Sequence, residues 1–421
     1  MLDVLKNSWA LLLGMLLLML GNGLQGSLLG VRGPEAGFST GMMSIVMSGY
    51  FAGFLIASRV TPGMIRRVGH VRVFAALGSL VSAVLILFPA VVDPFAWTAG
   101  RVIIGFCFCG VYVTAESWLN DSASNETRGQ TLSAYMIVQM AGVIAAQGLL
   151  LVPDESGFLL FVIPSVLVSV AFAPILLSIS PTPAFESTKP MTLRELYGYS
   201  PLGVVGMYLL GGVFAAQFGM AAVYAAEAGL SLAQISLFIA SFYIGALVLQ
   251  YPIGWMSDRM DRRLLIFASA AIGAVAALIA MMFGSSFGIL LAAAFAIGGS
   301  ANPLYSLLIA HANDHLDSSD MASASAGLLF VNGLGAIAGP LVIGWAMAMV
   351  GPPGFFLLIL VLLTLMSCYA LFRMTQRDAI SVEDTGLYTA LSPAATPIAV
   401  EVAQEYAIEV AEELDDEAAG D

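Results

Sequence analysis

Twelve stretches of about 20 mostly apolar residues run through this chain, each long enough to cross roughly 30 Å of hydrocarbon. Without water, backbone amides must bond within their own segment, so each stretch is expected to be a helix. The limits read from the sequence are 8–30, 39–61, 73–92, 97–119, 130–152, 157–179, 203–226, 234–256, 264–283, 287–310, 322–348 and 354–373. Turn signals mark the joins: Val-Asp-Pro at 92–94, Val-Pro-Asp at 152–154 and Gly-Pro-Pro-Gly at 351–354. All five tryptophans (Trp9, Trp97, Trp118, Trp255 and Trp345) fall near span ends, where interfacial rings belong. Only 10% of the residues are charged, against about 25% in a soluble domain. The expectation is an all-α integral membrane protein. Its first span is too long for a signal-peptide core and is followed by others, so it reads as a retained anchor.

Basic residues set the orientation, because Lys and Arg collect in cytoplasmic loops. An even span count puts both termini on one side. Thirteen of the fifteen basic residues fall on that side, leaving Arg32 and the membrane-embedded Arg101. Both ends are therefore expected in the cytoplasm, with the chain in the cytoplasmic membrane. The formal charge of −13 is uneven: eleven acids and no Lys or Arg lie between Ala379 and Asp421. The remainder, 17 acids against 15 bases, carries no basic surface for nucleic acid. Residues 374–421 read as an acidic, mostly disordered tail. A thin apolar stripe (Ala403, Ala407, Val410, Leu414) is the exception. Cys107, Cys109 and Cys368 fit neither a zinc spacing nor a disulfide framework.

The loop from 180 to 202, with four prolines and a short helix expected around Thr192–Tyr199, divides the spans six and six. The halves are related. Glu-Ala-Gly-Phe-Ser at 35–39 returns as Glu-Ala-Gly-Leu-Ser at 227–231, and Asn-Asp at 120–121 returns at 313–314, offsets of 192 and 193. The second offset pairs Gln139 with Asn332 and Gly142 with Gly335. A duplicated six-helix unit follows: residues 1–179 and 203–373, joined by a cytoplasmic linker at 180–202. Facing bundles of this kind are a frequent carrier architecture.

The loops after spans 2 and 8 resemble the signature of the major facilitator superfamily. "GWMSDRMDRR" at 254–263 keeps Gly254, Asp258, Arg259, Arg262 and Arg263, with Asp261 in place of a glycine. "TPGMIRRVGH" at 61–70 is degraded: Arg67 and Gly69 match, and Arg66 stands where an aspartate belongs. Arg101 with Gly105 resembles the start of the family's helix 4 motif, and "GLGAIAGP" at 333–340 resembles its glycine-rich motif. The stretch from Glu116 through "RGQTLSAYM" resembles the YcaD-like branch. The resemblance implies a secondary carrier without a cofactor, working as a monomer on a small solute, with helices 1, 4, 7 and 10 lining a central cavity. It also implies a cytoplasmic gate of Gly254, Asp258, Arg259, Arg262 and Arg263 with Arg66, Arg67, Gly69, Asp121 and Arg128. For those arginines, plain anchoring on the positive side is the simpler alternative.

Polar residues test the inward faces independently. Spans 3, 6, 9 and 12 hold no Asn or Gln and no charge before Arg373 at the end of the last. Asn22, Gln25, Gln139, Gln217, Asn302 and Asn332 lie in the others. Strong polar groups avoid lipid, so these six are candidates to line a solute cavity. Hydrogen bonding between helices, worth about 1 kcal/mol apiece, would explain them equally well. Cavity polarity leans toward a neutral, amphipathic or monovalent solute.

Glu116 and Arg101 are the charges inside span 4. With Gly105, Cys109 and Tyr112 they fall within an arc of about 80° at 100° per residue, yet about 22 Å apart along the axis. They cannot pair with each other. A carboxyl withdrawn from water favours its protonated form, so Glu116 is a candidate to carry a coupled proton, with Arg101 beside the same path. Equally, Glu116 could reach Arg66 or Arg128 as part of the gate. His311 and His315, with Asp314 and Asp317, have a spacing that could hold a metal, although such a cluster is usually solvated loop and no metal is assigned. "NDHLD" at 313–317 is similar to a magnesium motif of membrane prenyltransferases, but "NDSAS" at 120–124 lacks the second acidic cluster that a diphosphate clamp needs. A transporter-like sensor signalling through its tail is the remaining alternative to a carrier.

Overall fold

The computed structural model describes residues 2–122, 128–177, 191–377, 381, 385–386, 388–392 and 395–406. In chain order the helices are α1 (Leu2–Glu35), α2 (Thr40–Val68), α3 (His70–Ala90), α4 (Pro94–Ser122), α5 (Arg128–Leu149) and α6 (Leu159–Leu177). A short α7 (Leu193–Tyr199) precedes α8 (Pro201–Ala215), a π-helical turn at Ala216–Met220 and α9 (Ala221–Glu227), which together make span 7. There follow α10 (Leu232–Ser257), α11 (Arg262–Phe283), α12 (Phe287–Asn313), α13 (Ser318–Val350) and α14 (Gly354–Met374). A last helix, α15, covers 397–406. Among the described residues, eleven spans are long and apolar enough to cross a membrane; α6 contributes a shorter apolar helix, Leu159–Pro174.

The sequence repeat is a repeat of geometry. The duplicated Glu-Ala-Gly-x-Ser is one turn used twice: Gly37 (φ 83°) and Gly229 (φ 74°) take the left-handed conformation that only glycine adopts cheaply. Ser39 and Ser231 then cap α2 and α10 by accepting from Met42 N and Gln234 N. Helix pairing repeats as well. α2 packs on α4 as α10 packs on α12, α1 on α5 as α8 on α13, and α3 on α6 as α11 on α14.

Glycines set the closest approaches. A Cβ on Gly53 would lie 1.9 Å from Val102 O, and one on Gly105 1.9 Å from Tyr50 O. Gly245 against Phe295 O and Gly298 against Phe242 O repeat this crossing in the second half, 2.0 Å each. Gly142 against Leu16 O likewise returns as Gly335 against Tyr208 O. Outward faces of α3, α6, α11 and α14 carry exposed apolar side chains, such as Leu87, Val166, Ile272 and Leu365, where spans without strong polar groups were expected to meet lipid.

The expected short linker helix is α7, opened by a capping box in which Thr192 and Glu195 bond each other's backbone amides. The tail departs from expectation. Its described residues fold back onto the bundle, with Ala395, Ala399, Val400, Val402 and Ala403 buried. The acids of 379–421 are concentrated at its two ends: between Tyr388 and Gln404 the only charge is Glu401. The tail's average composition concealed an apolar segment. Ala407, Val410 and Leu414, the rest of the expected stripe, lie outside the described residues.

Candidate functional site

A cavity of about 810 Å³ lies between the two halves. Direct contacts across the seam close it at the arginine-poor end, beyond Gly30. There Ser48 Oγ donates to Ile337 O at 2.7 Å and Ser236 Oγ to Gln147 O at 2.6 Å. Thr40 Oγ1 donates to Glu227, Gly30 abuts Ala222, and Gly344 abuts Ser44. Toward the arginine-rich end the cavity continues past Ser58, Arg59 and Arg66, where the folded-back tail forms one wall through Ser392, Thr396 and Ile398.

Repeat-related side chains face each other across this space. Tyr50 and Tyr243, Tyr112 and Tyr305, and Gln139 and Asn332 all line it, each pair 193 residues apart. Phe54, Phe214 and Phe218 add aromatic surface, with Phe218 stacked on Tyr243 at 5.4 Å. The π-helical turn at Ala216–Met220 carries Gln217 and Phe218 into the cavity; such turns often occur at functional positions.

Arg101 anchors a chain of hydrogen bonds on the first half's wall. Its Nη1 donates to Gln25 Oε1 at 3.0 Å, and the guanidinium lies 4.6 Å over the Tyr50 ring. Gln25 Nε2 donates to Asn22 Oδ1 at 3.2 Å; Asn22 Nδ2 donates to the Tyr50 and Tyr112 hydroxyls at 3.1 and 2.9 Å. The partners of the cation are an amide and a ring face, so its charge is not neutralised by them. Arg101 Nε and Gln217 Nε2 are buried donors without a hydrogen-bond partner, a costly state that a bound acceptor would relieve.

Five of the six expected cavity residues line this space: Asn22, Gln25, Gln139, Gln217 and Asn332. Asn302 does not. It lies behind Gln217, donating to its Oε1 at 3.3 Å and to Gly298 O at 2.8 Å, so it positions Gln217 from within the helix packing. Asn332 combines both expected roles: it lines the cavity and donates to Met207 O at 3.0 Å. Tyr112 and Tyr305 were missed as a cavity pair, although carrying the 193 offset onto Tyr112 would have found its mate.

Glu116 is buried beside the cavity, under the tail, rather than in the cavity lining. Its carboxylate accepts from Tyr135 OH at 3.3 Å and from the amide of Thr396 at 3.2 Å, with the Thr396 hydroxyl also bonded to it. Arg128 lines the same small pocket but pairs with Glu405 at 3.6 Å, and Arg66 lines the main cavity.

The expected gate residues are engaged mostly within the second half and with the tail. Arg262, 2% exposed, pairs with Asp314, donates to Ser257 Oγ at 3.1 Å and also reaches Gly386 O. Asp258 Oδ1 lies 3.8 Å from Arg262 and accepts from Tyr388 N at 2.9 Å. Burial lifts the Asp258 carboxyl above its ordinary value despite the Tyr388 amide and Arg262. Asp261 goes the other way: burial would raise it, but the side chain and amide of Arg263 hold it below its ordinary value. Arg259 lies 4.4 Å over Trp255. Gly254 leaves space for the Tyr388 ring, which a Cβ would approach to 2.7 Å, and Gly69 ends α2 at φ 85°. Arg67 is exposed. The side chain of Asp121 lies outside the described residues. Asp314, which the magnesium motif would require as a ligand, is committed to Arg262; no group of three metal-ligating side chains occurs among the described residues.

Two similarly paired helical halves around a cavity closed at one end define a multi-pass membrane transport protein. The family model of the Major Facilitator Superfamily matches residues 11–231 and 202–393, and the chain belongs to that family. Among relatives, an uncharacterized MFS-type transporter, YcaD, from Salmonella typhi is 27% identical over 335 residues, covering 78% of this chain and 86% of its own. The Salmonella arizonae protein of the same name is 26% identical over the same length and shares. Among solved structures, a mutant of the nucleoside transporter NupG superposes with a TM-score of 0.71 at 14% identity, covering 87% of this chain and 99% of its own. A bacterial homologue of the human lysosomal transporter Spinster, in an inward-facing and unoccupied conformation, gives 0.66 at 15%, covering 96% and 98%. Likenesses at this identity speak to the fold.

Proposed function

We propose that this protein is a secondary carrier that moves an amphipathic, ring-bearing solute with at most one negative charge by alternating access. In this reading twelve spans form two six-helix bundles related by a pseudo-twofold axis, 1–179 and 203–373. Both termini and the 180–202 linker are cytoplasmic, the protein works as a monomer in the inner membrane, and the arginine-rich end is the cytoplasmic one. The observation that carries it is the cavity: about 810 Å³ between repeat-related walls, sealed across the seam at one end. Paired tyrosines and phenylalanines offer faces for a ring, and the amides of Gln139, Gln217 and Asn332 offer both donors and acceptors. Arg101, neutralised by neither of its partners, favours a single carboxylate or similar acceptor over a cation.

Glu116 is the group we assign to proton coupling. It is buried, it can bind or lose a proton, and its partners Tyr135 and Thr396 hold it through hydroxyls and an amide rather than through a fixed charge. Asp258, Arg259, Arg262 and Arg263, with Arg66, Arg67 and Arg128, form the cytoplasmic rim whose pairing changes as the halves rock.

The test is a thermal-shift screen of the purified protein against matched aromatic carboxylates, their neutral amides and aromatic amines. A ligand at 100 times its Kd stabilises the folded state by about 2.7 kcal/mol. Carboxylates or neutral amides should raise the melting midpoint, and the carboxylate shift should shrink in Arg101→Gln. Stabilisation by the amines alone would refute the assigned solute class.

A further inference from the structure

We propose that the described tail residues, 388–392 and 395–406, are an autoinhibitory plug: a self-docked segment that keeps the cytoplasmic ends of the two halves apart and must leave before the halves can alternate. This rests on the alternating-access reading above.

The segment is wedged between the halves and bonded to both. On the first half, Thr396 holds Glu116, Glu405 pairs with Arg128 at 3.6 Å, and the Tyr406 ring covers Gly129, where a Cβ would lie 2.6 Å from it. On the second, the Tyr388 hydroxyl accepts from Gln250 at 2.9 Å, Leu391 N donates to Ser306 Oγ at 2.9 Å, and the Gln404 amide lies among Asn313 Oδ1, Met321 O and Ser325 Oγ. Gly254 and Gly129 thus provide seats for two tyrosine rings, one on each half. Buried Ala399, Val400, Val402 and Ala403 fill the space between.

Alternation requires the cytoplasmic ends of the halves to approach one another while the seam at Gly30, Ser48 and Ser236 opens. A packed segment spanning both cytoplasmic ends opposes that motion by volume, and its polar contacts would all have to be given up. Docking also narrows the cavity's mouth, where Ser392, Thr396 and Ile398 form one wall, and engages Glu116. One event, departure of the tail, therefore widens the cavity's mouth and exposes the candidate proton carboxyl to the cytosol.

The test uses the full chain carrying Arg128→Cys and Glu405→Cys, with the exposed native thiol removed by Cys368→Ser. A short bis-maleimide ties the tail to the first half; N-ethylmaleimide on the same variant blocks both thiols without tying them. Hydrogen–deuterium exchange of the outer seam, residues 36–48 and 222–236, reports its opening without a known substrate. A chain ending at residue 385 supplies the unplugged reference. We expect protection of 388–406 in the unmodified protein, several-fold slower seam exchange in the tied form than in the N-ethylmaleimide form, and the fastest exchange in the truncated chain. An unprotected tail would overturn docking. Equal seam exchange in tied, untied and truncated forms, with the seam opening in all, would overturn the plug and leave the carrier reading intact. A seam that opens in none would remove alternation itself, and the plug with it.

Discussion

Arg101 and Glu116 lie on one helix and serve different ends of the molecule. Arg101 faces the cavity through Gln25 and Tyr50; Glu116 lies under the tail. Hydrogen bonds to a charged group are worth about 1.5–3 kcal/mol, so Arg101→Gln should weaken a monoanionic ligand roughly 10- to 100-fold and leave its neutral amide nearly unchanged, as measured by titration calorimetry. Glu116→Gln keeps the shape and removes the charge cycle. Accumulation driven by a pH gradient in proteoliposomes should vanish while solute–solute exchange persists. Accumulation at the wild-type level would exclude Glu116 from coupling, whereas loss of exchange as well would place it in the gate. The sequence marks Glu116 as anomalous because a carboxylate in an apolar run is costly. It could not supply the partner, since Thr396 is 280 residues away in a segment whose average composition reads as solvated.

Among elements, the spans and their repeat were the most legible part, whereas the closeness of their crossings, set by particular glycines, emerges only from the structure. Gly53 and Gly245, 192 residues apart, admit a neighbouring carbonyl where a methyl would collide. Gly53→Ala and Gly245→Ala should each destabilise by about 1–3 kcal/mol through overpacking, read as a lowered melting midpoint. Gly63 on α2 has open space around its missing Cβ, so Gly63→Ala should be neutral or raise the midpoint by removing glycine's helix penalty of up to about 1 kcal/mol. Asp154 shows an element closed by charge. Burial would raise its carboxyl, but the Ser156 hydroxyl, the Leu160 and Leu159 amides and Arg32 hold it below its ordinary value. A carboxylate depressed in the folded state stabilises above its unfolded pKa of about 3.9, and that contribution is lost as pH falls through the folded value. Asp154→Asn should therefore lower the melting midpoint at pH 6 and make little difference near pH 2. What the sequence did not convey at this scale was local geometry: the π-helical turn that presents Gln217 and the withdrawal of Asn302 behind it carry no compositional mark, and the return of the tail was hidden by its acidic average.

At the scale of the whole molecule, the duplication is legible because identical turns demand identical residues, as Gly37 and Gly229 illustrate. The state of the cavity is not legible, because the same sequence must stabilise more than one arrangement of its halves. That choice rests on small differences at the seams. At the outer seam, Gly30 abuts Ala222: a Cβ on Gly30 would lie 2.5 Å from Ala222 Cβ and 3.1 Å from Val223 N. Gly30→Val forces α1 and α9 apart there without touching the arginine-rich rim or the cavity polar groups. The population should move toward the state open at the arginine-poor end. Ser44, 3% exposed beneath this seam, is a suitable reporter: in a Ser44→Cys background, an impermeant maleimide applied from outside should label faster when Gly30→Val is present. Gly288→Ala, in open space, should leave labelling unchanged. If the tail opposes the same transition from the other side, the acceleration by Gly30→Val should be greater in a chain ending at residue 385. Unaltered labelling of a folded Gly30→Val protein in both lengths would mean that the seam is structural, and that opening takes place elsewhere.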